Sequence, residues 1–268
     1  MTNRKHSIFI KFFGLILLIM LSLLSGCDLI EEFLGEDIFD DDYDILPLEE
    51  YYKGAENLTG DELKDFLENL ISSNITGVTY GDAKVALAES DVDPNDDSKV
   101  LTIYSRESVT REWISGNDGW TREHVWPNSR LGLERVSEND VSQASDLHNL
   151  RAIVQSVNSS RGNKFFDKET DFNSYFPGDE DKGDVARILF YMATRYSFLE
   201  LVDFDLPDDD TEYTMAGAKM SKLSMLLRWH VEDPVDDFEK NRNEVIYKWQ
   251  KNRNPFIDHP EFAKMIFG

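Results

Sequence analysis

The chain has 268 residues, enough for one sizeable domain with appendages but short for two full cores. Its 28 lysines and arginines face 52 aspartates and glutamates, and the resulting charge of −24 argues against a general polyanion binder. Cys27 is the only cysteine, which excludes an internal disulfide.

The first segment, "MTNRKHSIFIKFFGLILLIMLSLLSGC", places Arg4, Lys5 and Lys11 before a long apolar run that ends in small residues. That order marks residues 1–26 as an export signal. Its "LSGC" resembles the bacterial lipobox, which implies that Cys27 is lipidated and anchors the mature protein outside the cytoplasmic membrane, at the cell surface. Residues 27–50 hold eleven acids and no base, so mutual repulsion predicts an extended tether. Much of the acidity therefore lies outside the domain expected over residues 51–268. From Arg111 to Lys164 seven acids balance seven bases, and residues 240–253 carry five bases against one acid, which suggests a basic surface there.

Within the domain, "LTGDELKDFLENLISSNI" has helical spacing behind Thr59, with Asp61 and Glu62 in its first turn. "SKVLTIYS" reads as a strand, "WISGNDGW" as a turn, and "DLHNLRAIV" as a second strand leading into a helix near "QSVNSSRGNKFF". "KGDVARILFYMATRYSFLEL" and "AGAKMSKLSMLLRWHVED" predict amphipathic helices, the second stopped at Pro234. "VDDFEKNRNEVIYKWQKNRN" predicts another, capped by Asp236 and stopped by Pro255. The sum is an α+β chain, mainly helical, with its few strands in the middle.

The middle segment also concentrates chemistry: Glu123, His124, Asp146, His148, Asn149, Asn158, Arg161 and Asn163. Hard cations prefer carboxylate, amide and water oxygens, a description that Glu123 and Asn158 fit. A neutral imidazole such as His124 can take a proton from water, titrating in the neutral range, and an arginine can hold a phosphate bidentately. Such a set serves metal-assisted phosphodiester hydrolysis. Spacing alone equally allows a hydrogen-bonded core with turn asparagines, or a zinc hydrolase built on His124, His148 and a carboxylate. Trp120, Trp126 and His230 read as packing residues, and His259 as a turn or capping residue.

"REHVWPNS" followed by "SDLHNLRAIVQSVNSSRGNKFF" resembles the bacterial endonuclease I family, whose site is of the ββα-metal, or His-Me finger, class. "KGDVARILFYMATRY" and the segment from "WHVEDP" to "DHPEFA" resemble that family's helices and tail. The resemblance implies a small central ββα-metal motif within the helical domain. It also implies His124 as general base, and Glu123 and Asn158 as ligands of magnesium, with calcium or manganese as alternatives. Glu123 and His124 would then share a site because the first strand ends there, outside regular alternation. An arginine on the scissile phosphate is also implied. The loop "NSRLGLERVSENDVSQAS" is shorter than in relatives with a cysteine-containing one, so Arg130, Arg135 and Arg161 all compete, with Arg161 favoured.

Arg122, Arg130, Arg135, Asn163 and Lys164 are the expected nucleic-acid contacts, while Asp146, His148 and Asn149 would orient the site from behind. Ala144 stands where some relatives carry an acid, which leaves more of the metal's coordination to water. The expectation is therefore a monomeric, exported, lipid-anchored endonuclease that cuts DNA, RNA or both and leaves 5′-phosphate ends. The rival is an inactive binding lipoprotein of the same fold.

Overall fold

The computed structural model describes residues 46–114, 119–204 and 212–268. The export signal, Cys27, most of the tether and part of the "WISGNDGW" turn lie outside them. Pro47–Gly268 forms one unit. It begins inside the expected tether: Leu48–Tyr51 is already a helical turn, and Tyr51 and Tyr52 are buried. No helix among the described residues is long and apolar enough to cross a membrane.

Helix α1 (Gly60–Ser72) follows from its spacing, since Leu63, Leu67 and Ile71 fall on one face and all three are fully buried. Each contributes roughly 1.5–3 kcal/mol of burial. They pack against α4 (Lys182–Arg195), with α2 (Ala83–Ser90) and α3 (Gln155–Arg161) between the two in sequence. Every residue of α4 from Gly183 to Arg195 is buried, so it is a central helix and not the amphipathic surface helix that its charges suggested. Those charges are paired internally. Arg187 donates to Glu239 at 2.7 and 2.5 Å, Asp184 accepts from Arg151 at 3.1 Å, and Arg195 donates to Asp146 at 2.5 Å. Gly183 permits the close approach, because a Cβ there would sit 2.1 Å from the Asp233 carbonyl oxygen.

The C-terminal helices are α5 (Leu223–Glu232) and α6 (Asp237–Gln250), then α7 (Pro255–Asp258) and α8 (Glu261–Phe267). Helix α5 starts later than its pattern suggested, because Lys219–Ser221 is a strand. Asp236 does cap α6, accepting from the Glu239 N–H at 2.9 Å. The helix ends at Lys251, which takes the left-handed conformation, and not at Pro255. Pro255 instead opens α7 behind the Asn254 cap, where its missing N–H costs nothing.

The strands form small separate sheets. β1 (Val92–Asp93), β2 (Asp96–Leu101) and β3 (Ser108–Thr110) make an antiparallel meander. β4 (Trp120–His124) and β5 (Leu150–Val154) make a two-stranded antiparallel ribbon. Two short parallel pairs, Phe165–Phe166 with Ser174–Tyr175 and Glu200–Val202 with Lys219–Ser221, complete the set. The expected α+β class, helices around a small central ribbon, is what the chain adopts. Buried Asp91 fastens the ribbon from behind, accepting from Arg151 at 3.2 Å, Arg242 at 2.8 Å and the Ala152 N–H at 2.7 Å.

Candidate active site

β4, β5 and α3 build the expected strand–strand–helix unit. The pairing is regular to its last residue, with Glu123 opposite Arg151 and His124 opposite Leu150, and the Val125 N–H continues it to the Asn149 carbonyl oxygen. Glu123 and His124 therefore do not share a site by escaping alternation, which corrects the sequence reading. They share it because, among the described residues, β4 has a strand partner on one side only. A cavity of about 700 Å³ is lined by Thr121, Arg122, Glu123 and His124 in succession, so it runs along the open edge of β4 and meets both faces.

Arg122 and His124 occupy one face. The His124 ring stacks on Tyr80, with centroids 5.3 Å apart and planes at 23°, and the Arg122 guanidinium lies 3.6 Å from the same ring. His124 Nε2 is 2.8 Å from the Ala144 carbonyl oxygen. A carbonyl only accepts, so Nε2 carries the proton and Nδ1 keeps the lone pair. Burial, helped by repulsion from Arg122 and Arg161, pushes the imidazole down to about 4. The ring is thus neutral well below the neutral range in which the sequence placed its titration.

Glu123 occupies the other face. It is 2 % exposed, and its Oε1 accepts from the Tyr104 hydroxyl at 2.8 Å. Arg161 Nε sits 3.3 Å from the same oxygen, without the alignment of a hydrogen bond. Burial pushes the Glu123 carboxyl up to about 7 despite that cation and that hydroxyl. Arg161 is its one ion-pair partner among the described residues, and Glu123 lines the cavity. Asn158, on α3, lines the same cavity and donates weakly through Nδ2 to the Arg122 carbonyl oxygen at 3.5 Å, leaving Oδ1 as an acceptor. Glu123 and Asn158 are hard oxygen donors, and they fit a magnesium ion that keeps several waters.

The arginines separate clearly. Arg161 was favoured for the phosphate, but it is fully buried and donates to the carbonyl oxygens of Val125 at 2.7 Å and Gly162 at 2.9 Å. It holds the end of β4 to the end of α3, where Gly162 turns the chain at φ +58°. Arg130 is buried and donates to the Asn163 carbonyl oxygen at 2.9 Å, outside the cavity lining. Arg122 lines the cavity, but its guanidinium is engaged by the Tyr80 carbonyl oxygen and by Glu138. Arg135 is exposed and lines the cavity, which makes it the arginine placed to meet a phosphate. Asn163 lines the cavity too, whereas Lys164 donates to the Asp171 carbonyl oxygen away from it.

Little of the expected basic surface at 240–253 is there, although Lys240 and Lys248 are exposed. Arg242 is buried against Asp91, Arg253 is buried between Glu244 and Asp258, and Lys240 pairs with Asp237. The two arginines hold the fold, whereas the Lys240 pair lies at the surface and contributes little.

Of the supporting residues, Asn149 acts nearest the site. Its side chain accepts from the Trp126 N–H at 2.7 Å and donates to the Trp126 carbonyl oxygen at 3.1 Å, fixing the chain just past His124. Asp146 is structural, receiving Arg195, Tyr191, Tyr196 and Gln250, and Arg195 holds its carboxyl low although burial opposes it. His148 is enclosed between the Asn252 carbonyl oxygen at 3.2 Å and the Tyr191 ring, outside the cavity, so it cannot join His124 in a zinc site. Trp120 and Trp126 are buried, as expected, and so is His230. His259 caps α7 and stacks on Phe262. Tyr80, Tyr104 and Glu138 are site residues that the sequence did not reveal. Their places depend on tertiary contacts that no sequence period marks.

The Endonuclease I family model matches residues 59–175 and 167–261. The chain is 42 % identical over 235 residues to an extracellular ribonuclease of Bacillus subtilis, covering 81 % of this chain and 78 % of that one. It is 41 % identical over 232 residues to an extracellular ribonuclease of Bacillus amyloliquefaciens, covering 82 % and 78 %. It is also 27 % identical over 130 residues to Endonuclease-1 of Buchnera aphidicola, covering 42 % and 46 %.

Proposed function

Because the chain belongs to the endonuclease I family, we infer that it is an exported, metal-dependent endonuclease that hydrolyses phosphodiester bonds in nucleic acid. The observation that carries the reading is the tautomer of His124. Its Nε2–H is tied to the Ala144 carbonyl oxygen, its Nδ1 lone pair is available, and it lies on an open strand edge beside Glu123 and Asn158.

Nδ1 takes the proton of the water that attacks phosphorus in line. The depressed basicity of the imidazole keeps it proton-free at rest, so no prior deprotonation is needed near neutral pH. Arg135 meets the phosphate oxygens. Glu123 and Asn158 would hold magnesium, or calcium or manganese in its place, which would supply positive charge to offset the negative charge developing on the phosphate and the leaving 3′-oxygen. The product carries a 5′-phosphate. Tyr80 and Asn149 keep the base in register, and Arg161 keeps the strand end in place.

The phosphate is common to DNA and RNA and to every base step, so contacts to it give little sugar or sequence specificity. The ribonuclease names of two relatives support RNA among the substrates. Lipid on Cys27 holds the enzyme outside the cytoplasmic membrane. The test is to incubate the protein and its His124→Ala variant with plasmid DNA and with structured RNA, in magnesium and in chelator. Cleavage that stops with chelator and with the variant is expected. Cleavage that survives chelator, or binding without cleavage, would sink the reading, and the latter would favour the inactive binding lipoprotein.

A further inference from the structure

Tyr104 reaches Glu123 from an unusual backbone. Its φ is +69°, in the left-handed region that a bulky residue avoids, and Arg106 two positions on has φ +49°. The turn is held by buried Asp181, which accepts the Tyr104 N–H at 2.7 Å through one oxygen and Arg106 Nη1 at 2.8 Å through the other. Strain kept in place by such contacts points to a use for the side chain it delivers. What this turn delivers is a hydroxyl on Glu123 Oε1 at 2.8 Å. Arg161 Nε also faces Oε1. Both polar neighbours of the carboxylate thus fall on one oxygen, and Oε2 has no partner among the described residues.

We propose that Tyr104 is a positioning residue that reserves Oε1, presents Oε2 alone to the cation, and so favours magnesium over calcium. The proposal rests on Glu123 being a metal ligand. Magnesium demands a tight octahedron, which a single oxygen from the carboxylate suits. Calcium takes six to eight oxygens and readily accepts both from one carboxylate. Occupying Oε1 therefore leaves magnesium content and costs calcium a ligand.

The experiment is calorimetric titration of magnesium and of calcium onto the metal-free protein, for wild type, Tyr104→Phe and Glu123→Gln, with a melting curve for each. Tyr104→Phe should bind magnesium on the order of 10-fold more weakly, the usual size of losing such a supporting partner, with calcium unchanged or tighter. Glu123→Gln should lose both ions. A folded Tyr104→Phe with an unaltered magnesium-to-calcium ratio, beside a Glu123→Gln that has lost both, overturns the proposal alone. A Glu123→Gln that binds as wild type does removes the ligand reading and the proposal with it. A second measurement needs no Tyr104 variant: infrared difference spectra of wild type, with the Glu123→Gln spectrum subtracted. The wide carboxylate splitting of one-oxygen coordination is expected with magnesium, and a two-oxygen signature overturns the proposal.

Discussion

Acid should loosen this fold through one histidine that takes no part in catalysis. His148 is fully buried, its Nε2–H is donated to the Asn252 carbonyl oxygen, and its Nδ1 has no hydrogen-bond partner among the described residues. A proton on Nδ1 would put charge and an unmet donor into the interior. Burial accordingly pushes the imidazole from 6.5 down to about 3, although Asp146 pulls the other way. Between those values the unfolded chain binds a proton that the folded chain refuses, so stability falls as pH drops below 6.5. Each pH unit in that window costs about 1.4 kcal/mol, and going from pH 7 to pH 5 costs about 2 kcal/mol. The perturbation is His148→Gln, whose amide can still donate toward Asn252. Urea unfolding of both proteins at pH 7 and pH 5 gives four free energies, and the difference of differences removes every other titrating group. Wild type should lose about 2 kcal/mol more than the variant over that interval, equivalent to roughly 4–8 °C in Tm. Equal losses in the two proteins would show that His148 titrates in the folded state as it does unfolded, and the reasoning would be refuted.

Three further outcomes are expected. His124→Ala should lower single-turnover cleavage about 100- to 10,000-fold with little change in nucleic-acid binding or melting, and the wild-type rate should have no limb in the neutral range from this group; a folded variant cutting at near wild-type rate ends the general-base role. Arg135→Ala should weaken nucleic-acid binding and flatten its salt dependence while leaving stability alone, whereas Arg161→Ala should cost about 3–5 kcal/mol in urea unfolding because it strands buried Glu123; the reverse pattern would return the phosphate role to Arg161. Cys27→Ser should abolish fatty-acid labelling seen in wild type, and equal labelling of both forms would dismiss the lipobox reading.

The order strand, histidine, loop, strand, helix was legible because hydrophobic period and motif agree there, and Glu123, His124 and Asn158 do line one cavity. The resemblance implied a phosphate contact without saying which of three arginines makes it, and Arg161 was favoured. The structure turns Arg161 inward, to carbonyl oxygens that no sequence pattern marks. The same blindness affected residues 240–253, since composition cannot distinguish an arginine in water from Arg242 sealed against Asp91. Tyr80 and Tyr104 come from turns far from His124 in the chain, and their roles depend on tertiary contacts without a period. Helix α4 misled for a related reason: its charges looked like a wet face, yet each of its central ones meets an opposite charge inside.

Those interior pairs give the unit Pro47–Gly268 cross-links of a particular kind. Asp91 ties positions 60 and 151 residues away in the chain, and Glu239 ties one 52 residues away, where many exported proteins would use sulfur bridges. A sulfur bridge acts largely by restricting the unfolded chain, but a carboxylate–guanidinium contact vanishes on unfolding and restricts nothing there. Maturation then needs no oxidant and no thiol exchange, and surroundings rich in reductant leave the folded enzyme untouched. The corresponding vulnerability is to protons, so that acidity and not redox state marks where this protein can persist.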